Sequence, residues 1–413
     1  MTVAASVLAG LDRLRSWQEE FYKDLHQHPE LSNREVETAK YIVERLRSFG
    51  LEPRAGIGRH GVVATLRGAQ AGPVVALRAD MDGLPVKEDT GLPFASAATG
   101  EFENRTVPVM HACGHDAHMA MLLATAKILT DLRPQLRGTV KFIFQPAEEG
   151  APAGELPAGA DLMVREGVLA SPEVNAVFGV HVFANIASGH IGYRSGPLMA
   201  ASDQFEIVVR GRQTHGANPW NGVDPIVTGS QIVLGLQTIV SRQVDITAGP
   251  AIITVGQFEG GVRNNIIPET ARLVGTIRTF DEGMRQDVHA RITRTAQRIA
   301  ESAGATATVS FGRHTPVTIN DPALTRHVLP TLQRVTTNVT EVPLFTTAED
   351  FSFYQRAVPG VFVFVGITPP HQVGKVDANH SPRFMLDEHA LLTGVRTLSY
   401  LAVDYLAAPL AGR

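Results

Sequence analysis

His111-Ala112-Cys113-Gly114-His115-Asp116 puts two imidazoles, a thiol and a carboxylate into one short stretch of chain. Cys113 and His115 stand two apart and cannot share a helical face, but in a loop turned at Gly114 both can point at one place. The residues that follow read as a helix. Asp116 can cap it, and the thiol would then sit near the positive end of the helix dipole, where a thiolate is favoured. A lone cysteine is ordinarily a small buried apolar residue. Its clustering with histidine and aspartate turns the reading toward chemistry. Glu148 and Glu149 are adjacent at the end of an apolar run. Successive side chains of a strand face opposite ways, so one of the pair can bind a metal while the other faces a water. Asp80, Asp82 and His181 also close apolar runs. Nitrogen, oxygen and sulfur donors together suit zinc, cobalt, nickel or manganese rather than magnesium or calcium. Cys113 is the only cysteine, so no zinc-finger spacing exists and a catalytic site with open coordination positions is what remains.

Strands and helices must carry these groups to one place. Val74 to Leu77 leads into Arg78-Ala79-Asp80-Met81-Asp82, Val140 to Phe144 into Gln145-Pro146-Ala147-Glu148-Glu149, and Val177 to Val180 into His181. Such runs read as buried strands, and a helix carrying Met119, Leu122, Leu123, Ala126 and Leu129 lies between two of them. The alternation predicts an α/β fold with a mainly parallel sheet, whose ligands bind beyond the carboxyl ends of the strands. Ahead of it, Leu11, Trp17, Phe21 and Leu25 predict a helix over about 6–27, stopped before Pro29. Ser32 with Glu35 reads as a capping box opening a second helix, which runs toward Phe49 and ends at Gly50.

From about Ser202 the pattern changes. A strand (Phe205 to Val209), a helix opened by Asp224-Pro225, strands at Ile252 to Phe258 and Ala271 to Thr279, a helix from Asp281 and a strand at Ala307 to Phe311 follow in turn. That order, βαββαβ, is the ferredoxin-like unit, so residues 198–312 are expected to form an inserted α+β domain. Residues 1–197 and 313–413 then supply the two parts of the metal-bearing domain, with a further strand at Val361 to Val365 and a closing helix from Asp387. A chain of 413 residues is long enough for two such cores.

A formal net charge of −4, without a dense Lys/Arg tract, gives neither nucleic acid nor an anionic membrane a foothold. The apolar runs fall far short of the ~20 residues that span a bilayer, and Met1 to Gly10 lacks a basic start. A single cysteine forms no internal disulfide, which fits a reducing compartment. The expected setting is the cytoplasm and the expected partner a small molecule.

The motifs together resemble the metallopeptidase family that includes aminoacylase, hippurate hydrolase, N-acetyldiaminopimelate deacetylase and the auxin-conjugate amidohydrolases. The resemblance runs from His26-Gln27-His28-Pro29-Glu30-Leu31 through the segments around Asp80, Cys113 and Glu148 to Thr214-His215-Gly216-Ala217, Asn265-Ile266-Ile267-Pro268 and His380-Ser381-Pro382. It implies a zinc-peptidase-like catalytic domain with an inserted lid and dimerisation domain. It also implies two divalent metal ions per subunit (Mn, Zn, Ni or Co), held by Cys113, His115, Glu149, His181 and His380. Cys113 stands where many members carry a bridging aspartate. Glu148 matches the general base for a metal-activated water. His215 matches the histidine that polarises the scissile carbonyl and reaches the partner's active site in a homodimer or homotetramer. Asn265 and Arg278 match positions that grip the substrate carboxylate. Asp80 is grouped with the catalytic residues, although Arg78-Ala79-Asp80 replaces the His-x-Asp usual in the wider superfamily.

The implied activity is hydrolysis of an N-acyl amino acid, with an aromatic acyl group, an acetyl group or a dipeptide all compatible. His26, His28, His111 and His118 fall outside the ligand set and are expected to be structural. His289, His314 and His327 stand apart from every motif and are expected at the surface. Two other readings compete. Cys113, activated by His111 or His115, could be a nucleophile forming a thioester, or the chain could be a binding protein that has lost turnover. Glu148, Glu149, His181 and His380 separate these, because nucleophilic catalysis does not need them and a non-catalytic relative would lack one.

Overall fold

The computed structural model describes residues 3–152 and 154–410. The chain forms two compact units, one of Met1–Gly196, Ile319–Pro343 and Phe353–Arg413, the other of Pro197–Thr318 with Leu344–Ser352.

The first unit is built on an eight-stranded sheet. Its centre is parallel: Arg137–Gln145, Gln70–Asp80, Ala176–Ala187 and Gly360–Thr368 lie side by side in that order. Antiparallel strands Arg54–Ile57 and Gly61–Arg67 extend one side, and Ile191–Tyr193 with Val339–Glu341 the other. Gly360–Thr368 is buried along its whole length, which is why it reads as an unbroken run of Val and Phe rather than an alternation. Register then does the positioning. Asp80 pairs with Gln145 at the ends of their strands, so the polar segments after them emerge at one edge, while His181 lies inside Ala176–Ala187 opposite Phe364.

The helix His115–Asp131 is buried almost all round, packed among Val3–Gln27, His389–Ala407 and the sheet, so it has no polar face. In the N-terminal helix Leu11, Phe21 and Leu25 are buried as their spacing requires, while Trp17 is exposed. The second helix spans Val36–Ser48 and ends with Gly50 at φ +80°, as expected of a glycine stop. Its start differs from the expected capping box. Ser32 Oγ donates to Asp82 Oδ2 at 2.6 Å, and Glu35 Oε1 accepts from Ala147 N at 2.8 Å. The cap comes instead from Glu30, whose carboxylate accepts from the backbone N–H and the hydroxyl of Thr38 at 2.8 and 2.9 Å. Partners distant in sequence outweigh a local motif here, because the buried Ala147 amide would be left unpaired without Glu35, whereas Glu30 already serves the helix start.

The second unit has the βαββαβ order. Its antiparallel sheet runs Ile252–Gly260, Thr270–Thr279, Ala201–Arg210, Thr306–Thr315, the second, third, first and fourth strands of the unit. Phe205, Ile207, Leu273 and Ile277 form its core with Ile232 and Leu236 of Pro225–Arg242 and Ile292 of Glu282–Ser302. Both helices open on side-chain caps: Asp224 accepts from Ile226 N and Val227 N, and Asp281 from Met284 N. Two histidines expected at the surface are half-buried here. His314 Nδ1 lies 3.2 Å and His289 Nε2 3.4 Å from Asp203, which also takes Arg285 at 2.8 Å. In the first unit His327 is likewise half-buried, its Nε2 donating to Ala408 O at 2.7 Å.

Candidate metal centre

Gly114 N-caps the His115–Asp131 helix at φ +86°, and a Cβ there would come within 2.3 Å of Val182 Cγ2. Only glycine permits so tight a turn beside the sheet. The turn directs Cys113 Sγ to within 3.5 Å of His181 Nε2 and 3.2 Å of His380 Nε2, and His380 Nε2 lies 3.1 Å from Glu149 Oε1. Cys113, His115 and Glu149 offer donor atoms that all lie within 4.8 Å of one another. The five residues with ligand chemistry are thus gathered in the first unit: His181 from within a strand, His115 from a helix start, and Cys113, Glu149 and His380 from loops.

Backbone strain marks the same place. Ala147, just before Glu148, and His380 are non-glycine residues with positive φ, 52° and 72°. Each is held by its N–H: Ala147 by Glu35, and His380 by Ala112 O at 2.7 Å. Glu35 is buried, and burial followed by the neighbouring Asp82 raises its carboxyl to about 8.

Asp82 ties the pieces together and is absent from the set of residues the sequence singled out for roles. Its two oxygens accept from the backbone amides of Glu148 and Glu149, each at 3.1 Å, and Oδ1 lies 3.3 Å from His115 Nδ1. Its signal was its place two residues beyond Asp80, past the end of a buried strand. Asp80 itself faces away from an open role. Oδ1 accepts from His118 Nδ1 at 2.5 Å and Oδ2 from fully buried Arg78 at 2.7 Å, with His115 Nε2 at 3.6 Å. His118 lies near Asp80, His115 and His181, but its Nε2 accepts from Val182 N at 2.8 Å, so neither ring nitrogen is left for a metal.

His181 donates through Nδ1 to Val182 O at 2.7 Å, which fixes the tautomer that leaves Nε2 with its lone pair toward Cys113. Burial lowers its pKa well below the usual range, so it is neutral, as a ligand must be. His115 behaves oppositely. Burial works against its charge, yet Asp80 and Asp82 bring it up to about 10, and its Nε2 has no hydrogen-bond partner among the described residues. Burial, then Glu149 and Glu148, push the Cys113 thiol well up. Thiol, imidazole and carboxylate donors in this arrangement fit a divalent transition ion.

Of the remaining histidines, His26 is buried between Asp116 (2.6 Å) and Glu88 (3.1 Å). Burial opposes its charge, but these hydrogen bonds raise it to about 10. Asp116 therefore sits inside the first turn, bound to His26, and Gly114 occupies the cap position expected for it. His111 is buried, and burial lowers it to about 4. His28 is exposed, bonding Asp24 O at 2.8 Å.

His215, Asn265 and Arg278 belong to the second unit. His215 pairs with Ile266 across a short two-stranded sheet, and Gly216 N donates to Asn265 O at 2.8 Å, so the first two are neighbours. His215 Nδ1 accepts from Ala217 N at 3.0 Å, which leaves the proton on Nε2. Arg278 is half-buried, donating to Thr346 O at 3.1 Å and Ile277 O at 3.0 Å and bonded to the Thr276 hydroxyl.

The sequence pattern of Peptidase family M20/M25/M40 matches residues 76–404. The chain belongs to this family. It is 39% identical over 370 residues to an N-acetyl-L-cysteine deacetylase of Bacillus subtilis, covering 90% of this chain and 83% of that one. It is 38% identical over 394 residues to thermostable carboxypeptidase 1 of Saccharolobus solfataricus, covering 95% and 96%. Among solved structures it is similar to a Bacillus subtilis dinuclear metal-binding peptidase of the M20 family, with a TM-score of 0.80, 35% identity and coverage of 96% and 99%. Family and donor cluster together make the protein a metal-dependent amidohydrolase or peptidase.

Proposed function

We propose that the protein hydrolyses the amide bond of N-acyl amino acids at a site for two divalent ions held by Cys113, His115, Glu149, His181 and His380. The observation that carries this is the contact chain Glu149–His380–Cys113–His181, closed by His115. Bound manganese, zinc, nickel or cobalt supplies Lewis-acid chemistry, lowering the pKa of water and polarising the amide carbonyl. Glu148 is buried and set beside the donor cluster by the Asp82 clamp on its amide. It takes the proton of the attacking water and returns it to the leaving amine. His215 donates its Nε2–H to the carbonyl oxygen as negative charge develops there. Asn265 and Arg278 receive the substrate carboxylate. Asp80 acts indirectly, holding His118 and facing His115.

The working form is a homodimer in which His215 of one subunit serves the other. Edge strand Ile252–Gly260 is mostly exposed, and Leu234 is 71% exposed on the helix Pro225–Arg242, the kind of edge and apolar surface that proteins cover. No helix among the described residues is long and apolar enough to cross a membrane, and the free Cys113 is in keeping with the cytoplasm. A dipeptidase or carboxypeptidase activity on the same chemistry is the second reading, favoured by the 38% identity to a carboxypeptidase. Metal-stripped protein should be inactive on acetyl- and benzoyl-amino acids and dipeptides, and one of the four metals should restore hydrolysis. Full turnover by protein shown metal-free by elemental analysis overturns the proposal.

A further inference from the structure

A cavity of about 190 Å³ opens in the first unit with Glu149 and Gly150 in its wall. Most of its surface is apolar, from Leu31, Leu84, Pro85, Phe102 and Pro152. Three polar side chains also line it, and each is already committed. Arg34 donates to both oxygens of Glu155 at 3.2 and 2.8 Å, Glu101 accepts from Thr106 at 2.6 Å, and Ser32 donates to Asp82 at 2.6 Å. The cavity therefore offers an incoming group apolar contact and no unspent cation.

Its walls are preformed. Leu31 bridges to Gly83 and Leu84 to Met110 through the backbone. Phe102 ends the strand Thr99–Phe102 of a hairpin whose turn residues Glu103 and Asn104 both have positive φ, 50° and 61°. Such a turn matches the twist of the paired strands and holds them rigidly. Gly100 of that hairpin lies so close to Leu31 that an added Cβ would be 3.0 Å from Leu31 Cδ1, which seats the hairpin on the cavity wall.

We infer that this cavity receives the acyl half of the substrate and selects a bulky apolar acyl group, a phenyl ring or a branched alkyl chain, over acetyl. The inference rests on the amidohydrolase reading above. The amino-acid half carries a carboxylate, which would enter without a free cation and beside Glu149 and Glu101, so it is excluded. The acyl half has no charge. In size the cavity compares with a protein cavity of about 150 Å³ that binds benzene, whereas an acetyl methyl would leave most of it unfilled. One extra methylene in an apolar pocket is worth about 10- to 200-fold in kcat/KM, so benzoyl over acetyl on the same amino acid should exceed about tenfold.

The test uses the metal-loaded full-length enzyme, comparing kcat/KM for N-benzoyl and N-acetyl derivatives of one amino acid, with benzoate and acetate as simple binding probes by calorimetry. Leu84→Phe narrows the cavity, and Phe102→Ala, at an exposed hairpin tip, removes a wall without touching the core. In both variants the benzoyl-to-acetyl ratio should fall at least fivefold, and benzoate binding should weaken while acetate binding is already negligible in the wild type. A wild-type ratio near one, or variants that lower both substrates alike, overturns the pocket and leaves the amidohydrolase reading standing. If neither substrate turns over, that reading fails, and benzoate binding sensitive to Leu84→Phe still decides the pocket: binding supports it and no binding overturns it. Circular dichroism of each variant excludes misfolding as the cause.

Discussion

The Cys113 region of the first unit and the His215 region of the second differ in how firmly their side chains are held. Around Cys113 most polar groups are buried and several are bonded to one another: Asp82 to the Glu148 and Glu149 amides and Ser32, Asp80 to Arg78 and His118, His181 to Val182. His215 and Asn265 are exposed, and His215 is steadied by the Ala217 amide and a two-residue strand. A centre that must hold ions against carboxylate repulsion gains from such pre-organisation. An exposed imidazole has fewer neighbours within its own unit to fix it. The difference teaches that the first unit holds a preformed donor cluster and the second an exposed imidazole under few restraints.

The contrast can be broken at several points. The largest effect should come from Glu148→Ala, which loses about 10²- to 10⁴-fold in turnover while metal analysis shows the ions retained. Loss of metal in Glu148→Ala but not in Glu149→Ala would show the two roles reversed. Next, His215→Ala should lose about 10²- to 10³-fold with metal content unchanged. Mixing it with Glu148→Ala under subunit exchange should restore part of the activity, since one site of each mixed dimer then has both groups. Verified exchange with no recovery would confine His215 to its own subunit. Asp82→Asn keeps the shape but loses the charge that holds two amides and faces His115, and metal affinity should drop about 10- to 100-fold. An unchanged affinity would mean the clamp is dispensable.

The smallest effect concerns stability. His26 is held up at about 10 by Asp116 and Glu88, so its contribution is complete below its unfolded value near 6.5 and is lost as pH rises through 10. The denaturant midpoint of the wild type should therefore fall more steeply between pH 7 and 10 than that of His26→Asn, and parallel curves would exclude the linkage.

Part of the candidate site was legible because Asp80 and the Glu148-Glu149 pair follow strands that hydrophobic runs announce. The Val-rich run before Asp80 and the Phe-containing run before Glu148 mark both the buried strand and the point at which polar residues begin, so position along the chain translated into position at one sheet edge. The same logic gave the ferredoxin-like order of the second unit, each helix opened by an aspartate that does cap it.

Pairing across distant sequence was decided elsewhere. Ser32 and Glu35 satisfy the spacing of a capping box, yet they spend their side chains on Asp82 and Ala147, while Glu30 caps the helix. His118 carries the ligand chemistry of its neighbour His115, but the Asp80 carboxylate and the Val182 amide consume both its nitrogens. His289 and His314, alone in sequence, face one buried aspartate. The sequence by itself determined the two fold classes, the strand ends and the donor types, because periodicity and residue chemistry are local properties. Only the tertiary structure decided which donors stay available and which are spent on buried neighbours, because a buried polar group takes whatever partner the packed chain brings within hydrogen-bonding distance.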